Sequence, residues 1–198
     1  RLLTELVYGV LRMRGHLDWL LKKLFRGPFT SLDREVKNIV RTSLYQLIYT
    51  NRIPIFAVVD EAVKLAKVRH PASAGLVNAI LRNYIRTRDK LIYPTREDDP
   101  LAYIAVVYSH PKWLVKQWLQ RFGLEESIAL CAANNEIPPI VLRTNRLKAT
   151  RGKVSEELRE EGVETAATTF SPHGLLVKKH GVLLRETGSY KKGHIQMQ

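Results

Sequence analysis

The chain has 198 residues, of which 45% are hydrophobic and 26% charged, and 32 Lys and Arg against 19 Asp and Glu give a formal net charge of +13. This composition excludes a disordered or low-complexity chain, and no apolar run reaches the roughly 18 residues of a membrane-spanning helix, so we expect a cytoplasmic globular protein. The positive charge favours a polyanionic partner, nucleic acid rather than a membrane.

Hydrophobic spacing in the first part of the chain predicts a bundle of helices. Apolar residues recur every three or four positions in five segments, residues 1–13, 16–24, 30–49, 58–67 and 75–86. Thr30 and Asp33 have capping-box spacing, which predicts the start of the third helix. The first segment begins without an initiator Met or a cap residue, so we expect that something upstream is missing.

The charge balance predicts a domain boundary near residue 94. Residues 1–95 hold 17 basic and 7 acidic side chains, whereas residues 96–198 hold 15 and 12. The segment Tyr93-Pro94-Thr95 lies at this transition and suits a domain boundary. We therefore predict one domain at residues 1–94 and a second at residues 95–198.

The second domain is predicted to begin with helices and to end with a small sheet. Thr95 and Asp98 are expected to cap a helical region over residues 101–135. From about residue 139 the predicted elements are a strand at 140–142, a helix at 151–161, strands at 163–170 and 175–177, a helical turn at 182–186 and a strand at 194–198. This βαββαβ order is typical of ferredoxin-like and RNA-recognition folds. The predicted fold class is α+β, an all-helical bundle followed by a small ferredoxin-like (RRM-like) domain.

The sequence contains no recognisable catalytic or cofactor motif. It has no glycine-rich phosphate loop, no G-x-G-x-x-G and no nucleophile elbow, and its histidines lack metal-ligand spacing, so we assign no catalytic, cofactor or metal residue. Cys131, the only cysteine, is expected to be buried. We interpret the glutamates at 156–157 and 160–161 as a solvated helix face. The tryptophans are expected to lie in the core: Trp19, Trp113 and Trp118.

Basic side chains are the candidate functional residues. Arg34, Lys37 and Arg41 are three and four residues apart, so we expect them on the exposed face of the third helix, where they could meet successive phosphates. The complete set of RNA-binding candidates is Arg12, Arg14, Lys22, Lys23, Arg26, Arg34, Lys37, Arg41, Arg82, Arg86, Arg88, Arg143 and Lys148. Ordinary solvation is the alternative for each of them taken singly. Because the predicted strands carry no exposed aromatic pair, we do not expect the sheet to read bases.

Longer runs of residues resemble a known family. LVYGVLR at 6–12, LDWL at 17–20, LYQLIY at 44–49 and GLVNAILR at 75–82 resemble the NusB-like N-terminal domain of the Sun/Fmu family of 16S rRNA cytosine-5 methyltransferases. Further matches to that family follow in the second domain, with YSHPKWLV at 108–115, ANNEIPP at 133–139 and LRTN at 142–145. NusB proteins themselves lack this second set, so the resemblance extends over most of the chain.

The resemblance implies a full-length enzyme that transfers a methyl group from S-adenosylmethionine to C5 of a cytosine in 16S rRNA. It also implies two catalytic cysteines in a Rossmann-like domain that follows this chain, and Cys131 matches neither of them. We therefore expect the chain to lack the catalytic domain and the first NusB-like helix, to hold no cofactor and to be inactive alone.

Three functions remain open on the sequence alone. The chain can be a monomeric RNA-binding and positioning region that docks 16S rRNA beside its own C-terminal methyltransferase domain, with no DNA specificity. It can instead be a non-enzymatic NusB-like module that binds RNA or protein in transcription antitermination. In the third, the helical domain only packs on the catalytic domain and does not contact RNA.

Overall fold

The computed structural model describes residues 2–51 and 53–198. The chain folds into two compact units, Arg1–Glu136 and Ile137–Gln198, which we call unit 1 and unit 2. No helix in the described part is long and apolar enough to cross a membrane.

Unit 1 is helical, as predicted. Its helices are α1 (Leu2–Arg12), α2 (Arg14–Leu24), α3 (Arg34–Tyr49), α4 (Ile55–Arg69), α5 (Ala74–Thr87), α6 (Pro100–Val107) and α7 (Lys112–Asn135). The core of the first five comes from apolar stripes at helical spacing, such as Val36, Val40 and Leu44 of α3, each at most 1% exposed. Helix α6 packs against both α7 and α2, so the compact unit extends beyond the boundary predicted near residue 94.

Neither predicted capping box begins its helix, because an aspartate directly before the helix takes the cap in each case. Thr95 Oγ1 does accept a hydrogen bond from the Asp98 amide at 3.2 Å, but this pair lies in the turn before α6. The side chain of Asp33 accepts a hydrogen bond from the Glu35 amide at 2.6 Å and begins α3, while Thr30 lies in a preceding 3-10 turn. Asp99 accepts from the Ala102 amide at 2.9 Å and begins α6. A side chain at the N-cap position can reach these unpaired amides, whereas one several residues earlier cannot.

The helical region 101–135 is interrupted twice. Residues 108–111 separate α6 from α7, and Gly123 has non-helical angles, φ 76° and ψ −176°, inside α7. Cys131 is fully buried, as expected, and burial raises the pKa of its thiol. Trp113, by contrast, is 65% exposed, so the prediction that it belongs to the core is wrong. Helix α7 buries Val115 and Cys131, and Trp113 lies on a different face.

Ser109, in the loop between α6 and α7, caps a helix that is distant in sequence. Its hydroxyl accepts a hydrogen bond from the Gly15 amide at 2.8 Å and one from the His16 amide at 3.4 Å. Helix α2 has no side-chain cap of its own at Met13. Ser109 therefore pairs amides that the first turn of α2 would otherwise leave without a partner.

Unit 2 has the predicted ferredoxin-like order. Its elements are β1 (Val141–Thr144), α8 (Arg151–Glu160), β2 (Val163–Ala167), β3 (Gly174–His180), α9 (Gly188–Lys191) and β4 (Ile195–Met197). The strands form an antiparallel sheet in the order β2-β3-β1-β4. Leu142 of β1 packs in a core with Val154 and Leu158 of α8. Its neighbours Val141 and Arg143 point to the opposite, open face, because side chains alternate along a strand.

The glutamates of α8 are not all solvated, which corrects the sequence-based interpretation. Glu157 Oε2 accepts hydrogen bonds from Ser189 Oγ at 2.8 Å and from His194 Nδ1 at 2.9 Å. Glu161 Oε2 accepts from the Gly188 amide at 2.7 Å. These two carboxylates hold α9 and the start of β4, and the bond from His194 lowers the pKa of Glu157 below its usual value.

Candidate nucleic-acid interface

Helices α2 and α3 place several of the predicted basic residues on one surface. Arg14, Asp18 and Lys22 are four residues apart on α2, and Lys37 and Arg41 are four apart on α3, so each row lies along one side of its helix. Contacts between the two rows, through Asp18 and through the ring of Phe29, join them. We call this surface the α2–α3 basic face, defined by Arg14, Asp18, Lys22, Phe29, Lys37 and Arg41.

Arg41 serves to hold the two helices together. Its Nε donates to Asp18 Oδ1 at 2.6 Å and its Nη2 to Asp18 Oδ2 at 2.9 Å, a two-pronged ion pair, and its Nη1 donates to Asn38 Oδ1 at 3.0 Å. The two paired side chains are only 11% and 19% exposed. The prediction that Arg41 lies free on the exposed face is therefore wrong, because the geometry of a guanidinium suits a carboxylate on the neighbouring helix.

Two lysines converge on one aromatic ring. Lys22 Nζ lies 5.0 Å from the centre of the Phe29 ring, and Lys37 Nζ lies 4.8 Å from it. Phe29 belongs to the 3-10 turn Phe29–Ser31 between the two helices. Within the described part of the chain neither ammonium group forms an ion pair. The ring orients both charges and does not neutralise them, so they remain available to phosphates.

The other basic residues near this face are more exposed and less constrained. Arg14 Nε lies 3.8 Å from Asp18 Oδ2, and its side chain is 63% exposed. Lys23 Nζ lies 5.7 Å from the ring centre of Trp19. Arg26 is exposed in the segment between α2 and α3, and Arg34 is exposed at the start of α3. Arg12 is half-buried at the end of α1. They add positive charge around the two oriented lysines.

The arginines of α5 form a separate row. Arg82 Nε donates to Asn78 Oδ1 at 2.9 Å, and Arg86 Nη2 donates to Asn83 Oδ1 at 3.1 Å. These acceptors are neutral, so both guanidinium groups keep their full charge, while Arg88 lies a loose 3.8 Å from Asp89. Among the described residues, no hydrogen bond or ion pair connects this row to the α2–α3 basic face.

The two candidates in unit 2 lie in different settings. Arg143 is exposed on the open face of the sheet, where its Nη2 donates to Gln196 Oε1 at 2.7 Å. Lys148 Nζ donates to the carbonyl oxygen of Lys192 at 2.9 Å and so secures the segment before β4. Arg143 is the better placed of the two to meet a ligand on the sheet.

A buried polar cluster supports α2 from below the surface. His16 is 7% exposed, and its Nδ1 and Nε2 form hydrogen bonds with the hydroxyls of Tyr49 and Tyr93 at 2.5 and 3.0 Å. The rings of Trp19 and Tyr93 are in tilted contact, with their centres 4.6 Å apart. Burial lowers the pKa of His16 to about 4, so its ring is neutral near pH 7 and contributes no charge to the interface.

Sequence reasoning missed Asp18 and Phe29, which organise this face. The i, i+4 spacing of Arg14, Asp18 and Lys22 indicated an acidic residue inside a basic row, and that signal was available. The role of Phe29 had no such signal, because it depends on how α2 and α3 pack.

Comparison with known proteins agrees with this architecture. The NusB family matches residues 1–86, and the ferredoxin-like domain of RsmF/B-like methyltransferases matches residues 110–183. The solved structure of PH0851 has the same fold, with a TM-score of 0.72 and 20% identity over 100% of this chain and 44% of that one.

Two curated relatives have names that refer to ribosomal RNA methylation. The chain is 38% identical over its full length to the probable ribosomal RNA small subunit methyltransferase B of Bacillus subtilis and covers 43% of it. It is 36% identical over its full length to ribosomal RNA small subunit methyltransferase B of Pseudomonas syringae, of which it covers 42%. The chain thus spans less than half the length of these relatives. The resemblance predicted from the sequence is confirmed: the chain joins a NusB-family domain to an RsmF/RsmB-like ferredoxin-like domain and is related throughout to ribosomal RNA small subunit methyltransferase B.

Proposed function

We propose that this chain is the RNA-binding and positioning region of a 16S rRNA cytosine-C5 methyltransferase. The observation that carries the proposal is the α2–α3 basic face, where Lys22 and Lys37 are held around Phe29 and have no acidic partner among the described residues. Contacts of this kind neutralise phosphates and fix the register of an RNA without reading its sequence. In the cytoplasm, the region would hold the rRNA while the remainder of the enzyme acts on one cytosine.

Methyl transfer itself belongs to the rest of the full-length protein in this proposal. S-adenosylmethionine would supply the methyl group, but the residues of this chain do not fit it. The described strands form an antiparallel sheet, whereas nucleotide-type cofactors favour a glycine-rich turn between a parallel strand and a helix. We therefore assign this chain no catalytic step and expect it to be inactive alone.

The salt dependence of RNA binding tests the proposal. Affinity of the chain for a 16S rRNA fragment should fall as salt rises, and each phosphate contact contributes about 0.7 to 0.9 to the log–log slope. The double variant Lys22→Gln/Lys37→Gln should reduce the slope by about 1.5 because two contacts are lost. A flat salt response of the wild-type chain would refute the electrostatic interface.

A matched control separates this effect from net charge. Lys64 already lies 2.7 Å from Asp60 and 3.0 Å from Glu61 on α4, and Lys67 is exposed one turn later. The variant Lys64→Gln/Lys67→Gln removes the same charge and should leave the slope almost unchanged. An equal reduction of the slope in both double variants would mean that the net charge of the chain, and not the α2–α3 basic face, determines binding.

The match of residues 1–86 to the NusB family keeps an antitermination module as a second candidate. That candidate predicts preferential binding to a leader RNA or to a ribosomal-protein partner, rather than to a 16S rRNA fragment. A direct competition between the two RNAs distinguishes the candidates. The third reading, in which the helical unit only packs on the methyltransferase domain, predicts that the Lys22→Gln/Lys37→Gln enzyme binds and methylates RNA like wild type.

A further inference from the structure

The open face of the unit 2 sheet contains a cavity of about 340 Å³. Val141 and Leu176, which face each other in neighbouring strands, form its apolar floor. Arg143 lies beside them, and one wall is formed by Ala167 at the end of β2 and by residues 168–171 of the loop between β2 and β3. None of the side chains that line the cavity carries a carboxylate. The lining therefore combines an apolar floor with the positive charge of Arg143.

Phe170 stands at the rim of this cavity and is 98% exposed. Burial of a phenylalanine side chain is favourable by about 2 kcal/mol, so a ligand in the cavity that covers Phe170 gains this contact. Both faces of the ring are free to stack. The sequence analysis found no exposed aromatic pair in the predicted strands. Phe170 lies outside the observed strands, in the loop between β2 and β3.

The loop that carries Phe170 is held in place by its own hydrogen bonds. Thr168 donates its amide to the Gly174 carbonyl at 3.2 Å and its hydroxyl to the Ser171 carbonyl at 2.8 Å. Arg151 of α8 also donates to the Ser171 carbonyl, at 3.4 Å. A Cβ at Gly174 would collide with Thr168 Oγ1, so glycine is what permits this close packing. The ring is thus presented by a preorganised turn.

The guanidinium of Arg143 is positioned in a similar way. Gln196 accepts one of its hydrogen bonds at 2.7 Å, and a neutral acceptor leaves the positive charge available. An aromatic ring, an apolar floor and an arginine in one cavity complement a base and its phosphate. A double helix would present its bases stacked inside, so only an unpaired nucleotide can place its base here.

We propose that this cavity binds one unpaired RNA nucleotide, with its base stacked on Phe170 above Val141 and Leu176 and its phosphate at Arg143. The inference rests on the proposed function in that it takes RNA as the ligand. It adds a base contact in unit 2 that is independent of the α2–α3 basic face.

Binding of fluorescein-labelled octauridylate, measured by anisotropy, tests the cavity. Phe170→Ala should weaken binding at least about fivefold, because a base–aromatic stack contributes about 1–3 kcal/mol and 1.4 kcal/mol is tenfold in affinity. Phe56→Ala, at another exposed phenylalanine on α4 in unit 1, is the matched control and should bind like wild type. Because Phe170 is almost fully exposed, its replacement should not affect folding.

A second readout locates the base. All tryptophans of the chain lie in unit 1, so Phe170→Trp introduces a fluorophore into unit 2. The emission of this tryptophan should change when unlabelled octauridylate is added, and the Phe170→Trp variant should bind octauridylate with an affinity close to that of wild type. The change in emission should disappear in Phe170→Trp/Arg143→Gln.

The outcomes separate the cavity from the proposed function. Wild-type affinity in Phe170→Ala, an unchanged emission of the Phe170→Trp variant or no binding of octauridylate would overturn the cavity site. If Lys22→Gln/Lys37→Gln nevertheless weakens binding of the 16S rRNA fragment, the proposed function stands without it. If Phe170→Ala weakens binding and Lys22→Gln/Lys37→Gln does not, the cavity stands and the α2–α3 basic face is the part that fails.

Discussion

Acidification is expected to destabilise unit 1 through His16. The ring of this residue is buried, and both nitrogens form hydrogen bonds with tyrosine hydroxyls, from Tyr49 and Tyr93. The aromatic rings that lie near it in the described part of the chain are those of Tyr49, Tyr93 and Trp19, and none carries a negative charge near neutral pH. A proton on the ring would therefore be buried without a counter-charge.

The size of this destabilisation follows from the pKa of His16. Burial lowers the pKa of His16 from 6.5 to about 4. The unfolded chain binds the proton first as pH falls, so the stabilisation present above pH 6.5 is lost progressively down to pH 4. One pKa unit corresponds to about 1.36 kcal/mol, so the loss between pH 7 and pH 4 is about 3 kcal/mol.

Urea unfolding at a series of pH values measures this loss. Glutamine cannot take up this proton. Between pH 7 and pH 4 the free energy of unfolding of His16→Gln should therefore fall by about 3 kcal/mol less than that of wild type. Parallel pH profiles for wild type and His16→Gln would refute the reasoning, whatever the stability of the variant at pH 7.

Three further substitutions test the fold. Ser109→Ala removes the cap that pairs the Gly15 amide and should lower the free energy of unfolding by about 1 kcal/mol, measured with urea; an unchanged value would mean that water replaces the cap. Asp18→Ala leaves the guanidinium of Arg41 unpaired and should cost about 2 kcal/mol in the same measurement, more than Asp60→Ala on α4. Thr144→Val removes a buried hydroxyl without a hydrogen-bond partner and should raise the melting temperature of unit 2, whereas a decrease would show that this hydroxyl is satisfied.

The helices and strands could be predicted because burial repeats with the period of each element. The apolar stripe of α3 is visible in the sequence and is confirmed, and the short apolar run predicted as a strand at 140–142 overlaps β1. The ends of elements were harder to place. A cap depends on which of several nearby polar side chains reaches the first free amide, so Asp33 and Asp99 took the N-cap positions predicted for Thr30 and Thr95.

The candidate interface could be predicted only as a set of charges. Arg41 and Asp18 are 23 residues apart, and only the packing of α2 against α3 brings them together. The same packing places Lys22 and Lys37 at one ring. Whether a basic residue is free for RNA or used within the fold is thus a tertiary property, which helical spacing cannot supply.

Steady-state methylation of a 16S rRNA fragment by the full-length enzyme tests the positioning role most directly. If the α2–α3 basic face only holds the RNA, Lys22→Gln/Lys37→Gln should raise KM and leave kcat unchanged, because it removes binding that the ground state and the transition state share. The Lys64→Gln/Lys67→Gln control should match wild type in both constants. A wild-type KM in the Lys22→Gln/Lys37→Gln enzyme would contradict the account.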